Sequence, residues 1–240
     1  MNLCIDIGNS FIKYGVFDQD DLVKHGKVES LLVRDLKKLI AKYGITRAIL
    51  SSTRKSLPRF CNYLDRTVSF VILDHKVKLP FENTYGTKKT LGKDRLAAIA
   101  GAQSLFPKKN CLVFDIGTCM TSDVINRSGV YLGGNISPGK DLRIRSMHEF
   151  TSALPMVKAK FTNPVIGKST TSALQNGAIY GIVFEIEAFV RRIQREIGKI
   201  NVILTGGDAL KFGELIECKK FVIPNLVLTG LNAILKHNED

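Results

Sequence analysis

The sequence has only 7 prolines in 240 residues and no low-complexity tract, which argues against a disordered chain. Five cysteines, Cys4, Cys61, Cys111, Cys119 and Cys218, are odd in number, far apart and without a Cys-x-x-Cys pair. Most have apolar neighbours, so reduced core thiols are expected rather than disulfides or zinc ligands. His25, His75, His148 and His237 are equally scattered, and no Cys/His metal site is visible. No segment reads as a membrane span, since the most apolar long stretch, Ala173 to Val190, carries Gln175, Asn176, Glu185 and Glu187. The start, Met1-Asn2-Leu3-Cys4-Ile5-Asp6, lacks the basic residues and long apolar core of a secretory signal, so a cytoplasmic protein is expected.

What is present is an ordinary folding composition, 45% hydrophobic and 24% charged, in a chain long enough for one large domain or two modest ones. Two are expected, 1–105 and 106–240, with the boundary just before Pro107-Lys108-Lys109-Asn110. The net charge of +13 permits attraction to nucleic acid, an acidic surface or a phosphorylated ligand. The cations are spread in doublets such as Lys37-Lys38, Lys88-Lys89 and Arg191-Arg192 rather than in a tract, and a solvated basic surface is the plainer reading.

An internal repeat decides the architecture. Leu3-Cys4-Ile5-Asp6-Ile7-Gly8-Asn9-Ser10 leads into Phe11 to Asp18, and about 109 residues on, Leu112-Val113-Phe114-Asp115-Ile116-Gly117-Thr118 leads into Cys119 to Asn126. Each copy reads as a strand, a tight turn and a returning strand. A carboxylate emerges at the end of a buried strand, and a glycine lets backbone N–H groups approach a phosphate. Two such hairpins facing each other can clamp one nucleotide, whereas a single Asp-x-Gly alone is an ordinary turn. Val202-Ile203-Leu204-Thr205-Gly206-Gly207 adds a third apolar strand ending in glycine, suited to a nucleotide's sugar or base.

Helical spacing appears in Leu31 to Tyr43, Lys93 to Phe106, Thr170 to Ile197 and Leu226 to Lys236, and short buried strands in Ala48 to Ser52, Val68 to Leu73, Leu112 to Asp115 and Val202 to Leu204. The alternation is α/β. Ala173, Gly177 and Gly181 form a small-residue row predicting a close backbone neighbour for the long helix. Two apparent phosphate loops fail. In Gly134 to Asp141, Asp141 stands where a metal-binding hydroxyl is needed and Pro138 lacks a donor; before Gly167-Lys168-Ser169, Thr162 stands where the first glycine belongs.

Taken together and in order, Asp6-x-Gly8-Asn9-Ser10-x-x-Lys13, Gly92-x-Asp94-Arg95 and Asp115-x-Gly117-Thr118 resemble the type III pantothenate kinases. Gly133-Gly134-x-Ile136-x-Pro138-Gly139, Leu154-Pro155, Thr170-x-x-Ala173, Thr205-Gly206-Gly207 and Gly230-Leu231-Asn232 extend the likeness over nearly the whole chain. Ser10 replaces the usual threonine and Cys119 the usual alanine, both small changes. The resemblance implies two similar actin-like (ribonuclease H-like) α/β domains with a duplicated hairpin and the nucleotide in the cleft between them. It also implies phosphorylation of pantothenate by ATP in the first step of coenzyme A synthesis, a homodimer, a divalent metal such as Mg²⁺, and a monovalent cation, K⁺ or ammonium.

By that resemblance, Asp6, Ile7, Gly8, Asn9, Ser10, Phe11, Ile12 and Lys13 form the ATP segment, with Asp6 facing metal and phosphates through water and Thr118 a further ATP contact. Asp115 is the monovalent-cation ligand, an oxygen donor suited to K⁺. Tyr85, Gly92, Lys93, Asp94, Arg95 and Thr170 are substrate contacts. Asp94 is the expected catalytic base, since an ionised carboxylate can take the hydroxyl proton late in phosphoryl transfer; its plainer role is a helix N-cap before Arg95-Leu96-Ala97. Arg95 offers a donor fork for the pantothenate carboxylate, or else a surface ion pair. Two other readings remain: a regulator like the Bvg accessory factors, or a kinase of the same fold acting on another small alcohol. No recognition helix, aromatic platform or basic arm is seen, so nucleic acid is not an expected partner.

Overall fold

The computed structural model describes residues 1–8, 11–54, 59–161 and 164–239, in two compact units. The first unit comprises Met1–Lys108, Arg127–Leu132 and the C-terminal stretch from Asn225; the second comprises Lys109–Asn126 and Gly133–Pro224. Among the described residues no helix is long and apolar enough to cross a membrane.

The first unit opens with β1 (Asn2–Ile7), β2 (Ile12–Asp18) and β3 (Asp21–Val28), followed by α1 (Val33–Tyr43), β4 (Arg47–Ser52), α2 (Cys61–Thr67) and β5 (Ser69–Ile72). Its sheet runs β3-β2-β1-β4-β5, with β1 antiparallel to β2 and parallel to β4. Every residue of β1 is buried. Alternate side chains pack on opposite faces, which explains an apolar run without polar alternation. Leu3, Ile5 and Ile7 meet Leu36 of α1 and Leu64 of α2. On β1, Asn2 Nδ2 donates to Asn232 Oδ1 of α7 (Leu226–His237) at 2.9 Å.

β6 (Glu82–Asn83), a single 3₁₀ turn at Lys88–Thr90, and α3 (Lys93–Leu105) complete this unit with α7. α3 and α7 cross with their backbones almost touching. A Cβ added at Gly230 would sit 1.7 Å from the Ala97 carbonyl oxygen, and one at Gly101 would sit 2.4 Å from the Leu226 carbonyl. Only glycine fits either position.

The second unit repeats the pattern with β7 (Cys111–Ile116), β8 (Cys119–Ile125), β9 (Val130–Pro138), α4 (Lys140–Glu149), α5 (Thr170–Ile197), β10 (Asn201–Thr205), α6 (Ala209–Leu215) and β11 (Phe221–Val222). Its strands run β11-β10-β7-β8-β9, the order of the first sheet read from the other edge. β7 lies antiparallel to β8 and parallel to β10, as β1 lies between β2 and β4. The first residues of β9, Val130 and Tyr131, pair with β6 and belong to the first unit. Leu112, Phe114 and Ile116 of β7 pack on Ile179, Ile182, Val183 and Ile186 of α5.

The small-residue row of α5 meets the expected close backbone only at one end, and the helix packs on the sheet through another stripe. Ala173 and Gly177 are exposed, and among the described residues nothing lies within 4 Å of a Cβ added at Gly177. The buried stripe is Leu174, Ala178, Ile182 and Ile186, because the apolar side chains, not the small ones, face the sheet. Gly181 has Arg143 of α4 as a close neighbour, whose Nη1 would be 3.0 Å from an added Cβ, and the backbone of Gly167 comes so near Ala173 that a Cβ on Gly167 would lie 2.5 Å from the Ala173 nitrogen.

Candidate active site

The first hairpin turn joins β1 to β2 between the register partners Ile7 and Ile12. The Gly8 N–H donates to the Phe11 carbonyl at 3.0 Å, closing the turn. Asp6 is 8% exposed, one residue before the strand's end, and its register partners are Lys13 on β2 and Ser51 on β4. The chain leaving β4 wraps this turn: the Thr53 N–H and Oγ1 both donate to the Ile7 carbonyl, and Arg54 Nε donates to the Gly8 carbonyl at 3.2 Å. Lys27 Nζ sits 3.9 Å from the Phe11 ring centroid. Asp6, Ile7, Gly8, Phe11, Ile12 and Lys13 thus lie together on one turn and its flanking strands. Asn9 and Ser10 lie outside the described residues.

The second hairpin turn is built alike. The Gly117 N–H donates to the Cys119 carbonyl at 3.0 Å, and the carbonyl of exposed Thr118 accepts from the Gly139 N–H at 3.0 Å. Gly139 belongs to the first apparent phosphate loop, and a Cβ there would lie 2.1 Å from the Gly117 carbonyl oxygen. Its glycine serves close packing on the turn. Asp115 is half-buried, with Thr121 of β8 and Thr205 of β10 as register partners. Gly206 curls over it at φ +98°, and a Cβ there would sit 2.4 Å from Asp115 Oδ1. Thr205 is 1% exposed, and its Oγ1 has no hydrogen-bond partner among the described residues. Beside this turn the Asp208 N–H donates to the Ile116 carbonyl at 3.1 Å, and Lys140 Nζ pairs with Asp208 at 3.1 Å and Asp141 at 2.6 Å. Burial pulls the Lys140 ammonium down in pKa, but the hydrogen bonds and charges of Asp141 and Asp208 outweigh it and hold it above its ordinary value.

Asp94 is not a helix cap. Gly92 takes that place at the start of α3, Lys93 and Asp94 lie in the first turn, and Asp94 Oδ1 accepts the Arg95 N–H at 2.9 Å. The carboxylate, half-buried, sits at the positive end of the helix.

Arg95 is not a surface ion pair either, being 5% exposed. Its Nη2 donates to the Tyr131 hydroxyl at 3.0 Å, and its guanidinium carbon lies 5.5 Å from the Tyr85 ring centroid. The Tyr85 and Tyr131 rings stack at 6.0 Å with 26° between their planes, and Phe81 meets Tyr131 edge-on at 6.3 Å. Asn83 Oδ1 accepts the Tyr85 N–H at 3.0 Å, and Thr84 Oγ1 donates to the Tyr131 carbonyl at 2.7 Å, tying this loop to β9. Tyr85, Gly92, Lys93, Asp94 and Arg95 therefore share the first unit. Thr170, exposed in the first turn of α5 behind its Ser169 cap, belongs to the second, with Asp115 and Thr118. Sequence reasoning missed Tyr131: no motif marks it, and its one signal is that a buried arginine demands a partner.

Two sheets of matching order, each with an acidic residue where its central strand enters a glycine turn, define a duplicated α/β scaffold. Solved structures share it. A protein described as a Baf family transcriptional activator from Campylobacter jejuni superposes with a TM-score of 0.64 at 20% identity, over 98% of both chains. One described as an N-acetylmannosamine kinase from Listeria monocytogenes gives 0.55 at 12%, over 99% of both. At these identities the likeness defines the fold, that of the actin-like sugar kinases.

Sequence comparison is more specific. The type III pantothenate kinase profile matches residues 2–192, and the enzyme of that name from Phocaeicola vulgatus is 39% identical over 100% of this chain and 99% of its own. The chain belongs to the type III pantothenate kinase family.

Proposed function

We propose that this protein transfers the γ-phosphoryl group of ATP to the primary hydroxyl of pantothenate, giving 4′-phosphopantothenate for coenzyme A biosynthesis. One observation carries the substrate reading: in a chain of this family, a half-buried carboxylate, Asp94, adjoins a buried guanidinium, Arg95, which meets the Tyr131 hydroxyl and the Tyr85 ring. Arg95 holds the carboxylate of pantothenate, with Tyr85 against its chain and Thr170 as a further contact. Asp94 accepts the hydroxyl proton as the oxygen attacks phosphorus, when that proton has become acidic. Gly92 and Lys93 present backbone to the substrate.

The turn from Asp6 to Lys13 binds the phosphate chain, where Lys13 offsets its charge and Gly8 leaves room for close approach. Thr118 contacts ATP from the second turn. A divalent ion supplies charge neutralisation at the transferring phosphoryl group. Asp6, next to the turn, is the residue that would hold it. A monovalent ion fits at Asp115: among the described residues the Thr205 hydroxyl is buried without a partner beside that carboxylate, and Gly206 leaves a cradle that a side chain would fill. Both donors are hard oxygens, as K⁺ prefers. A homodimer in the cytoplasm completes this reading.

The test is a coupled ADP-release assay on purified protein with pantothenate and a panel of sugars, with and without K⁺. Turnover on pantothenate, enhanced by K⁺, is expected. Turnover only on another alcohol overturns the substrate, and a salt-sensitive DNA gel shift without any turnover favours the regulator reading.

A further inference from the structure

We infer that Lys27 is a second cation for the phosphate chain of ATP, reaching the first hairpin turn from β3 and acting beside Lys13. The inference rests on the reading that the turn from Asp6 to Lys13 holds that chain, and it adds a residue from outside the two strands of the turn.

Lys13 of β2 is in register with Asp6 of β1 on one side and with Lys27 of β3 on the other. Cross-strand partners put their side chains on the same face of a sheet, so the three groups stand in one row, an acid and then two bases. Like charges directly opposite one another destabilise a strand pair, and Lys13 is half-buried, where the repulsion is screened less than at an open surface. Asp6 balances at most one of the two ammonium groups. Among the described residues no carboxylate forms an ion pair with Lys27. A row with a cation in excess, next to a turn whose glycine admits a phosphate, is completed by a polyanion. The aim of the side chain agrees. Phe11 lies two residues nearer the turn than Lys13, and the Lys27 ammonium sits over its ring, 3.9 Å from the centroid. Lys27 thus leans along the sheet toward the turn, and the negative face of the ring favours the cation there. Lys27 and Phe11 are both exposed, so a phosphate at the turn can reach the ammonium without disturbing the core. A lysine suits this place, since its compact charge on a flexible stem can pass from the ring to a phosphate oxygen.

The test compares the binding of Mg·ATP and of adenosine, which has no phosphate, by NMR titration of the whole protein. Lys27→Gln should weaken ATP about tenfold and leave adenosine within about twofold, because only a contact to the phosphates is lost. Lys27→Arg should restore ATP binding to within about threefold of wild type, since the charge is kept. Lys24→Gln removes the same unit of charge from an exposed position farther along β3, opposite Val16, and should leave ATP binding within about twofold. Raising the salt should narrow the gap between wild type and Lys27→Gln. The variants lie on an edge strand with exposed side chains, so their Tm should stay within about 2 °C of wild type. ATP binding unchanged in Lys27→Gln, an equal loss in Lys24→Gln, or adenosine weakened as much as ATP overturns the inference. Failure of the underlying reading looks different: wild-type protein that binds ATP no better than adenosine, with Lys13→Gln equally without effect, removes the phosphate chain from this turn altogether.

Discussion

Gly230→Ala sets two opposed effects against each other at a place that matters for catalysis. In an open helix interior, replacing glycine by alanine stabilises by about 1 kcal/mol, because glycine loses more backbone entropy on folding. At Gly230 the added methyl would lie 1.7 Å from the Ala97 carbonyl oxygen, 2.6 Å from the carbonyl carbon and 2.7 Å from the Gly101 nitrogen. These are backbone atoms of α3, so no side chain can swing aside, and the helices must part by on the order of 1 Å. Overpacking of a buried contact costs about 1–3 kcal/mol. The crossing is lined by fully buried residues such as Ala97, Ala102, Leu226 and Leu231, and the upper part of that range applies. The net expectation is a loss of about 1–2 kcal/mol, a fall in Tm of about 2–8 °C for a chain of this size.

Gly177→Ala is the internal control. It lies in the interior of α5 with nothing within 4 Å of an added Cβ, so the entropy effect acts alone and Tm should rise by about 2–4 °C. Because α3 begins at Gly92, Asp94 and Arg95, parting it from α7 also displaces the proposed base, and a misplacement of about 1 Å can cost about 100-fold in rate. Thermal melts and pantothenate kinase kinetics on both variants decide the matter. If Gly230→Ala stabilises as Gly177→Ala does, or melts lower with full activity, the steric reasoning or its link to the site is wrong.

Asp94→Asn should reduce kcat by about 100-fold to 10,000-fold while leaving Tm and ATP binding by calorimetry nearly unchanged, since the residue is not the cap of α3; a collapse in stability instead would return Asp94 to a structural role. Thr205→Val keeps the shape and removes a buried hydroxyl that lacks a partner, so stability should hold or rise, while the K⁺ concentration for half-maximal activity and the thermal shift produced by K⁺ should both be weakened about tenfold; an unaltered K⁺ response removes Thr205 from the cation site. In Ellman titration of native protein, exposed Cys119 should react first and half-buried Cys218 more slowly, with buried Cys4, Cys61 and Cys111 reacting only on unfolding; five equal rates would contradict this burial. Burial pushes the Cys111 thiol up to about 11 from 9.0, so its contribution to stability is whole below pH 9 and is lost as pH climbs through 11, and Cys111→Ala should flatten the decline of denaturation midpoint across that window.

The elements legible in the sequence are those with a periodic apolar signal. The helix read from Thr170 to Ile197 has those ends in the structure, and the two hairpins lie where the repeated aspartate and glycine put them. β3 escaped notice because it is an edge strand with most side chains exposed, and α4 because only Ile144 of its 10 residues is buried, leaving no stripe to detect. In the site, the motif residues were named through the family resemblance, and their surroundings were not legible at all. A surface ion pair stayed open for Arg95 beside the ligand reading, since its partner Tyr131 lies 36 positions away in sequence. The same holds for Asp94: its nearness to a helix start is visible in sequence, but which residue caps the helix is a matter of backbone angles.

The duplicated strand and turn also shows how one framework can yield two chemically different sites. In both units the central strand places its aspartate between an antiparallel neighbour and a parallel one, and in both the residue opposite on the parallel strand carries a buried hydroxyl without a hydrogen-bond partner among the described residues, Ser51 beside Asp6 and Thr205 beside Asp115. The antiparallel neighbour differs. Asp6 faces Lys13, whereas Asp115 faces Thr121. A carboxylate with a lysine as its cross-strand neighbour is suited to share a polyphosphate with that lysine, the acid dealing with the metal and the base with the oxygens. A carboxylate flanked across both strands by threonines has only oxygen donors in register, the set a weakly held monovalent ion requires. Exchanging the pair, Lys13→Thr together with Thr121→Lys, should therefore weaken ATP and remove the response to K⁺ in one protein. Loss of only one of the two would mean that the register partner does not set the character of the turn.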